Sequence, residues 1–174
     1  GNYPRELEPS KLTAAWQLFF LAVPMVCTTF TSAARMFHSI GREAFGWLVV
    51  DEAARVRPQA AVGMLARARR TVALGDPLQI EPSVSVPMKT SMAIASMYGT
   101  AQWLAPAASV QTLADRVSSY GTTLRTGKRA DGEPSGGLWV GIPLRVQSYV
   151  CEPVHSIVNT IAYDGSLFSG LPCS

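Results

Sequence analysis

Hydrophobic positions come in short blocks along this chain, and their spacing sorts them into helices and strands. Between Lys11 and Ala22, the residues Leu12, Trp16, Phe19 and Phe20 share one face of a predicted helix, with Ser10 placed to cap it and Pro24 to end it. "MVCTTF" (25–30) then reads as a short strand rich in β-branched residues. "SAARMFHSIG" (32–41) reads as a helical turn closed by Gly41. "GWLVVD" (46–51) is a continuously apolar, buried strand. Pro58 opens a helix through "QAAVGMLARAR" (59–69), and "RTVALGD" (70–76) is a third apolar strand.

Short apolar strands alternating with helices predict an α/β fold, with a parallel sheet covered by helices on both faces. In such sheets, chemistry gathers at the carboxyl ends of the strands. Two strands here end on acids, "LVVDE" and "VALGDP", so Asp51, Glu52 and Asp76 are expected at one rim, within reach of water or a ligand.

The pattern loosens between Glu81 and Pro106, where Met88, Met92 and Met97 fit no clean period and are expected as core or adaptable packing. Ser109 can cap a helix over "VQTLADRVSSY" (110–120), stopped by Gly121. "RTGKRADGEPSGG" (125–137) is polar and glycine-rich and predicts an exposed loop in which Lys128 and Arg129 are solvated. "LWVGIPLRVQSYV" (138–150) reads as a strand region. Pro153 opens a last helix whose core face is Val154, Ile157, Val158 and Ile161. No internal repeat is visible.

Composition narrows the class without redrawing the fold. The 174 residues are 48% hydrophobic and 16% charged, which excludes a disordered chain and allows one real core. A net charge of +3 permits nucleic acid as a partner without pointing to it. Cys27, Cys151 and Cys173 are odd in number and widely spaced, and only two histidines accompany them. That argues against a zinc site and for a reducing, cytoplasmic compartment. His38 and His155 lack partners at ligand spacing and are expected as ordinary surface or core residues. Arg67, Arg69 and Arg70 cluster at a predicted helix end, where cations suit the helix dipole and can also meet phosphate. The N-terminal apolar run has the look of a secretory signal, but Glu6 and Glu8 precede it and Pro24 and threonines interrupt it. It is too broken to span a bilayer, so no membrane is expected as a partner.

The acids at 51 and 52 carry the first candidate chemistry. A dry, unpartnered carboxylate is costly, so an apolar strand ending on two of them must bring them to water or to a cation. An aspartate there can serve Mg²⁺, which keeps several waters and takes few carboxylates. The adjoining glutamate can orient a water for attack on a terminal phosphate. Taken alone, the pair is weak evidence, and an exposed turn is the commoner source of two such acids after an apolar run. "GDPLQIEP" (75–82) adds to it. Gly75 permits a sharp turn, Asp76 can cap or bridge, Pro77 fixes the exit, and Gln79 supplies a neutral amide for a water or a phosphate oxygen. An ordinary strand-to-helix turn does not ask for Gln79.

Together these stretches resemble the superfamily 1 helicases, in the branch of the nonsense-mediated-decay RNA helicase and its bacterial relatives. "WLVVDEA" followed by "PQA" looks like their motif II, and "VALGDPLQIEP" like their motif III. "VPMVCTTFTS" resembles the strand and threonine-bearing loop before motif II, and "SVQTLADRV" the helix after motif III. "GIPLRVQSYVCEPVHSIVNTIAYDGSL" resembles motif IV and the helix beyond it, so the likeness runs from about Trp16 to Leu167.

The resemblance implies a RecA-like P-loop NTPase sheet, with residues 1–140 a partial first motor domain and 141–174 the start of a second. It implies ATP and Mg²⁺ as cofactors and single-stranded DNA or RNA as partner. Asp51 would hold the Mg²⁺, Glu52 would activate the hydrolytic water, and Gln79 would contact the γ-phosphate or that water. Thr28 and Thr29 would lie along the nucleic-acid backbone.

The pattern departs from the family in named places. No G-x-x-x-x-G-K-[ST] occurs in these residues, so the fold is expected to be incomplete, its first strand and P-loop absent. The later motifs are also missing, with an arginine worth roughly 10³ to 10⁵ in rate in related phosphoryl-transfer enzymes. Tyr149 stands where motif IV carries an arginine, with Arg145 four residues earlier, and Arg55 replaces a glutamine common in relatives. The expectation is a fragment of an ATP-dependent helicase or translocase, inactive alone and prone to self-association through an exposed sheet edge. The alternative is a non-catalytic helicase-like remnant that binds or scaffolds.

Overall fold

A computed structural model describes residues 8–105, 107–125 and 136–171; Glu6, Lys128, Arg129 and Cys173 lie outside the described residues. In chain order the elements are α1 (Pro9–Ala22), α2 (Phe30–Met36), β1 (Phe45–Val50), α3 (Pro58–Leu65), β2 (Ala68–Ala73) and α4 (Met88–Tyr98). Then follow α5 (Val110–Val117), β3 (Gly121–Arg125), β4 (Gly137–Gly141), β5 (Val146–Gln147), α6 (Val154–Ala162) and β6 (Phe168–Ser169). The class is α/β, as expected. Among the described residues the strands form three short sheets: β1–β2 parallel, β3–β4 antiparallel and β5–β6 parallel.

The β1–β2 pair organises the core. Helix α3 is its crossover, started by Pro58 at the first helical position. The register sets Trp47 beside Arg70, Val49 beside Val72 and Val50 beside Ala73. Side chains alternate across a strand. Leu48 and Val50 therefore turn inward: Val50 packs with Ala53, Ala61 and Val110, and Leu48 also touches a second cluster of Ala33, Phe37, Ile40 and Met64. Trp16 of α1 closes that second cluster, its ring 4.9 Å from that of Phe37. Trp47 and Val49 turn outward, and Trp47 is 61% exposed beneath the Arg70 guanidinium.

Several local expectations are corrected. "MVCTTF" is not a strand, because the Thr29 hydroxyl instead accepts from the Ser32 amide (3.2 Å) and caps α2. Ser10 lies inside α1, whose N-terminus is set by Pro9. Helix α3 stops at Leu65, short of the expected end. Arg67 ties the exit by donating to the carbonyls of Phe37 (3.1 Å), Ile40 (3.0 Å) and Gly63 (2.7 Å), and the chain re-enters the sheet. Arg69 and Arg70 are thus in strand β2, not at a helix end. Met88, Met92 and Met97 are exposed on α4, not core. On α6, Val154, Ile157, Val158 and Ile161 face solvent and His155 is the buried residue. Periodicity marks an apolar face but does not supply the layer that would cover it.

Candidate functional site

The loops leaving β1 and β2 are laced together at one end of the parallel pair. The Leu74 amide donates to Val50 (2.8 Å), and the Ala53 amide returns the bond to Leu74 (2.8 Å). Asp51 and Glu52 are both exposed there, as a strand end at the rim requires. Glu52 sits in the left-handed region, φ 52° and ψ 39°. That conformation costs a non-glycine residue about 1 kcal/mol or more. It is held by the Glu52 amide donating to Asp51 Oδ1 (3.0 Å) and by the 3-10 turn Ala53–Arg55 that follows, in which Ala53 and Ala54 are buried. The second Asp51 oxygen makes no hydrogen bond among the described residues.

Gly75 is needed for a different reason than a sharp turn, since its φ is not positive. A Cβ there would lie 2.7 Å from the Ala54 amide nitrogen and 2.9 Å from that of Ala53. Only glycine lets the two loops approach this closely. Asp76 then acts as a hub. Its Oδ1 accepts from the Leu78 amide (2.9 Å), and its Oδ2 accepts from Gln79 Nε2 (2.8 Å) and from the Tyr163 hydroxyl. Burial, then the hydrogen bond and charge of Asp76, push the Tyr163 phenol up to about 12.

A cavity of about 340 Å³ opens beside this hub, with Asp76, Gln79, Gln111, Arg145 and Tyr163 in its walls. Asp51 and Glu52 do not line it, so Gln79 is brought to the cavity and the two acids are not. Behind it, Asp115 is 3% exposed. Its Oδ1 accepts from Gln111 Nε2 (3.0 Å) and the Gly141 amide (2.9 Å), and burial pushes its carboxyl above the usual value. Arg145 donates from Nε to the Ser166 carbonyl (2.7 Å) and lies over the Phe168 ring. Tyr149 is 94% exposed. Thr28 donates to Met36 Sδ (3.6 Å) and Thr29 caps α2, so both threonines have local partners.

Sequence reasoning missed Tyr163, Gln111 and Asp115. The "YDG" turn was visible, but the partner of its tyrosine lies 87 residues away. Among the described residues, no group of three or more His, Cys, Asp or Glu could hold a metal. Among the described residues, no helix is long and apolar enough to cross a membrane.

No curated protein matches the chain. Residues 8–86 match the family model of an AAA domain, a span that contains β1, β2 and both rim loops. That stretch is thus similar to a P-loop NTPase domain of the AAA type.

Proposed function

We propose that the chain is part of an ATP-dependent helicase or translocase, in which the rim after β1 and β2 forms half of a Mg²⁺–nucleotide site. In this reading Asp51 supplies one ligand to the ion, Glu52 orients the hydrolytic water, and Gln79 meets the γ-phosphate. The carrying observation is the close joining of the two loops through Gly75, which holds the acid pair and the Asp76–Gln79 segment at one rim. The left-handed Glu52 is further support, since backbone strain concentrates at functional sites. The AAA-domain match over residues 8–86 supports the nucleotide class. Residues 1–140 belong to the first motor unit and 141–174 to the entry of a second. Single-stranded DNA or RNA is the partner, met by Thr28 and Thr29, and the setting is the cytoplasm.

Equilibrium binding of a fluorescent ATP analogue, with and without Mg²⁺, tests this. Magnesium-dependent binding that weakens at least tenfold in both Asp51→Ala and Gln79→Ala is the expected result. No binding by a demonstrably folded chain would sink the reading. The chain alone is expected to turn over no ATP; magnesium-dependent hydrolysis that Glu52→Gln removes would contradict that.

A second reading, a non-catalytic remnant that binds or scaffolds, draws on two observations. The Gln79 amide is engaged by Asp76, and the exposed Tyr149 brings no positive charge. Self-association through the open β1–β2 face, with Trp47 and Val49 outward, fits either reading. A monodisperse monomer in analytical ultracentrifugation would contradict it.

A further inference from the structure

We propose that Tyr163 is a positioning residue for Gln79: through the oxygen they share on Asp76, it governs whether the Gln79 amide rests on Asp76 or is free to meet a phosphate. What Gln79 meets rests on the nucleotide reading above; the linkage itself does not.

The geometry is a three-point fixation of one carboxylate. Leu78 holds Oδ1, while Gln79 Nε2 and the Tyr163 hydroxyl both donate to Oδ2. A carboxylate oxygen offers two lone pairs, so Oδ2 is fully occupied. Two donors on one oxygen each draw on the same charge, and each bond is weaker than it would be alone. The Tyr163 hydroxyl therefore loosens the hold of Asp76 on Gln79. Asp76 and Gln79 lie in the segment similar to an AAA domain, which spans residues 8–86. Tyr163 lies outside it, as the C-cap of α6. The shared oxygen thus joins the rim loop to a distant part of the chain, and a displacement of α6 changes the competition for Oδ2. Burial and then Asp76 raise the ionisation of the Tyr163 phenol, and the Gln79 amide draws it partly back, so the two side chains also meet directly.

The experiment uses ¹⁵N-labelled full chain and follows the side-chain amide of Gln79. Tyr163→Phe is expected to shift that resonance, whereas Tyr149→Phe, at an exposed tyrosine, leaves it in place. Asp76→Asn, which keeps the side-chain shape, is expected to shift it as well and serves if Tyr163→Phe folds poorly. An unmoved Gln79 resonance in folded Tyr163→Phe and Asp76→Asn overturns the linkage. The second arm is binding of the fluorescent ATP analogue with Mg²⁺. With the competing donor gone, Gln79 is held more tightly by Asp76, and affinity is expected to fall about three- to tenfold. The fall is expected to vanish in a Gln79→Ala background, where a purely structural defect would persist. A shifted resonance with unchanged affinity overturns the positioning role. Absence of any analogue binding to the folded parent chain overturns the nucleotide reading and, with it, the phosphate half of this proposal, while the resonance still decides the linkage.

Discussion

Gly75→Ala places a methyl group where the structure has backbone. Its Cβ would stand 2.7 Å from the Ala54 nitrogen, 2.9 Å from the Ala53 nitrogen and 3.3 Å from Gln111 Oε1. Ala53 and Ala54 are 0% and 3% exposed, so neither nitrogen can swing aside as a flexible side chain would. The loops must part by about 0.7 Å to regain ordinary contact, which stretches the 2.8 Å bond from Ala53 to Leu74. Overpacking of this kind costs about 1–3 kcal/mol, and weakening the buried bond about 1 kcal/mol more. The lower entropy of an unfolded alanine returns about 0.4–1 kcal/mol. The net loss is about 1–3.5 kcal/mol, or roughly 2–14 °C in Tm for a chain of this length. Urea denaturation of Gly75→Ala beside Gly46→Ala measures it, since a Cβ at Gly46 meets nothing within 4 Å. If Gly75→Ala unfolds within about 0.5 kcal/mol of the parent, a range typical of neutral surface changes, the close approach of the two loops is refuted.

Asp115 has a carboxyl held above its ordinary 3.8 by burial, so its contribution to stability is complete below that value and is lost as pH rises through the folded value. Asp115→Asn is expected to flatten this part of the pH–stability curve; an unchanged curve from acid denaturation contradicts it. Tyr163, raised from 10.0 to about 12, contributes stability below pH 10 that is lost as pH climbs from 10 to 12. Tyr163→Phe should remove that loss, together with a tyrosine ionisation near pH 12 in an absorbance titration. Ser109 caps α5 reciprocally with Thr112, its hydroxyl accepting from the Thr112 amide at 3.1 Å. Ser109→Ala should cost about 1 kcal/mol in urea denaturation, and no measurable loss would refute the cap.

What was legible in the sequence is what local chemistry decides. The apolar run ending at Asp51 and the start of α3 at Pro58 follow from residue types within a few positions of each other. So does the Ser109 cap. The expected strand at 25–30 failed because a threonine hydroxyl can serve the backbone as a cap, and propensity does not say which use wins. The face of α6 is apolar, as its spacing predicts, but it is exposed, because burial depends on elements far along the chain. The candidate site divides in the same way. Asp51, Glu52, Asp76 and Gln79 could be found from two short stretches. Tyr163 reaches Asp76, and Gln111 reaches the cavity beside Gly75, only through tertiary placement. Gly75 was legible as special, but its reason is close approach, which needs the neighbouring loop to be known.

The rim after β1 and β2 is proposed as half of a metal–nucleotide site. The most direct test replaces Mg²⁺ by paramagnetic Mn²⁺ with a non-hydrolysable ATP analogue and follows backbone amide resonances. Broadening centred on Asp51, Glu52, Gly75 and Gln79, dependent on the nucleotide and lost in Asp51→Ala, is the expected result. Broadening centred elsewhere, such as on Glu152 and His155 of the α6 region, or none at all in a folded chain, would contradict it.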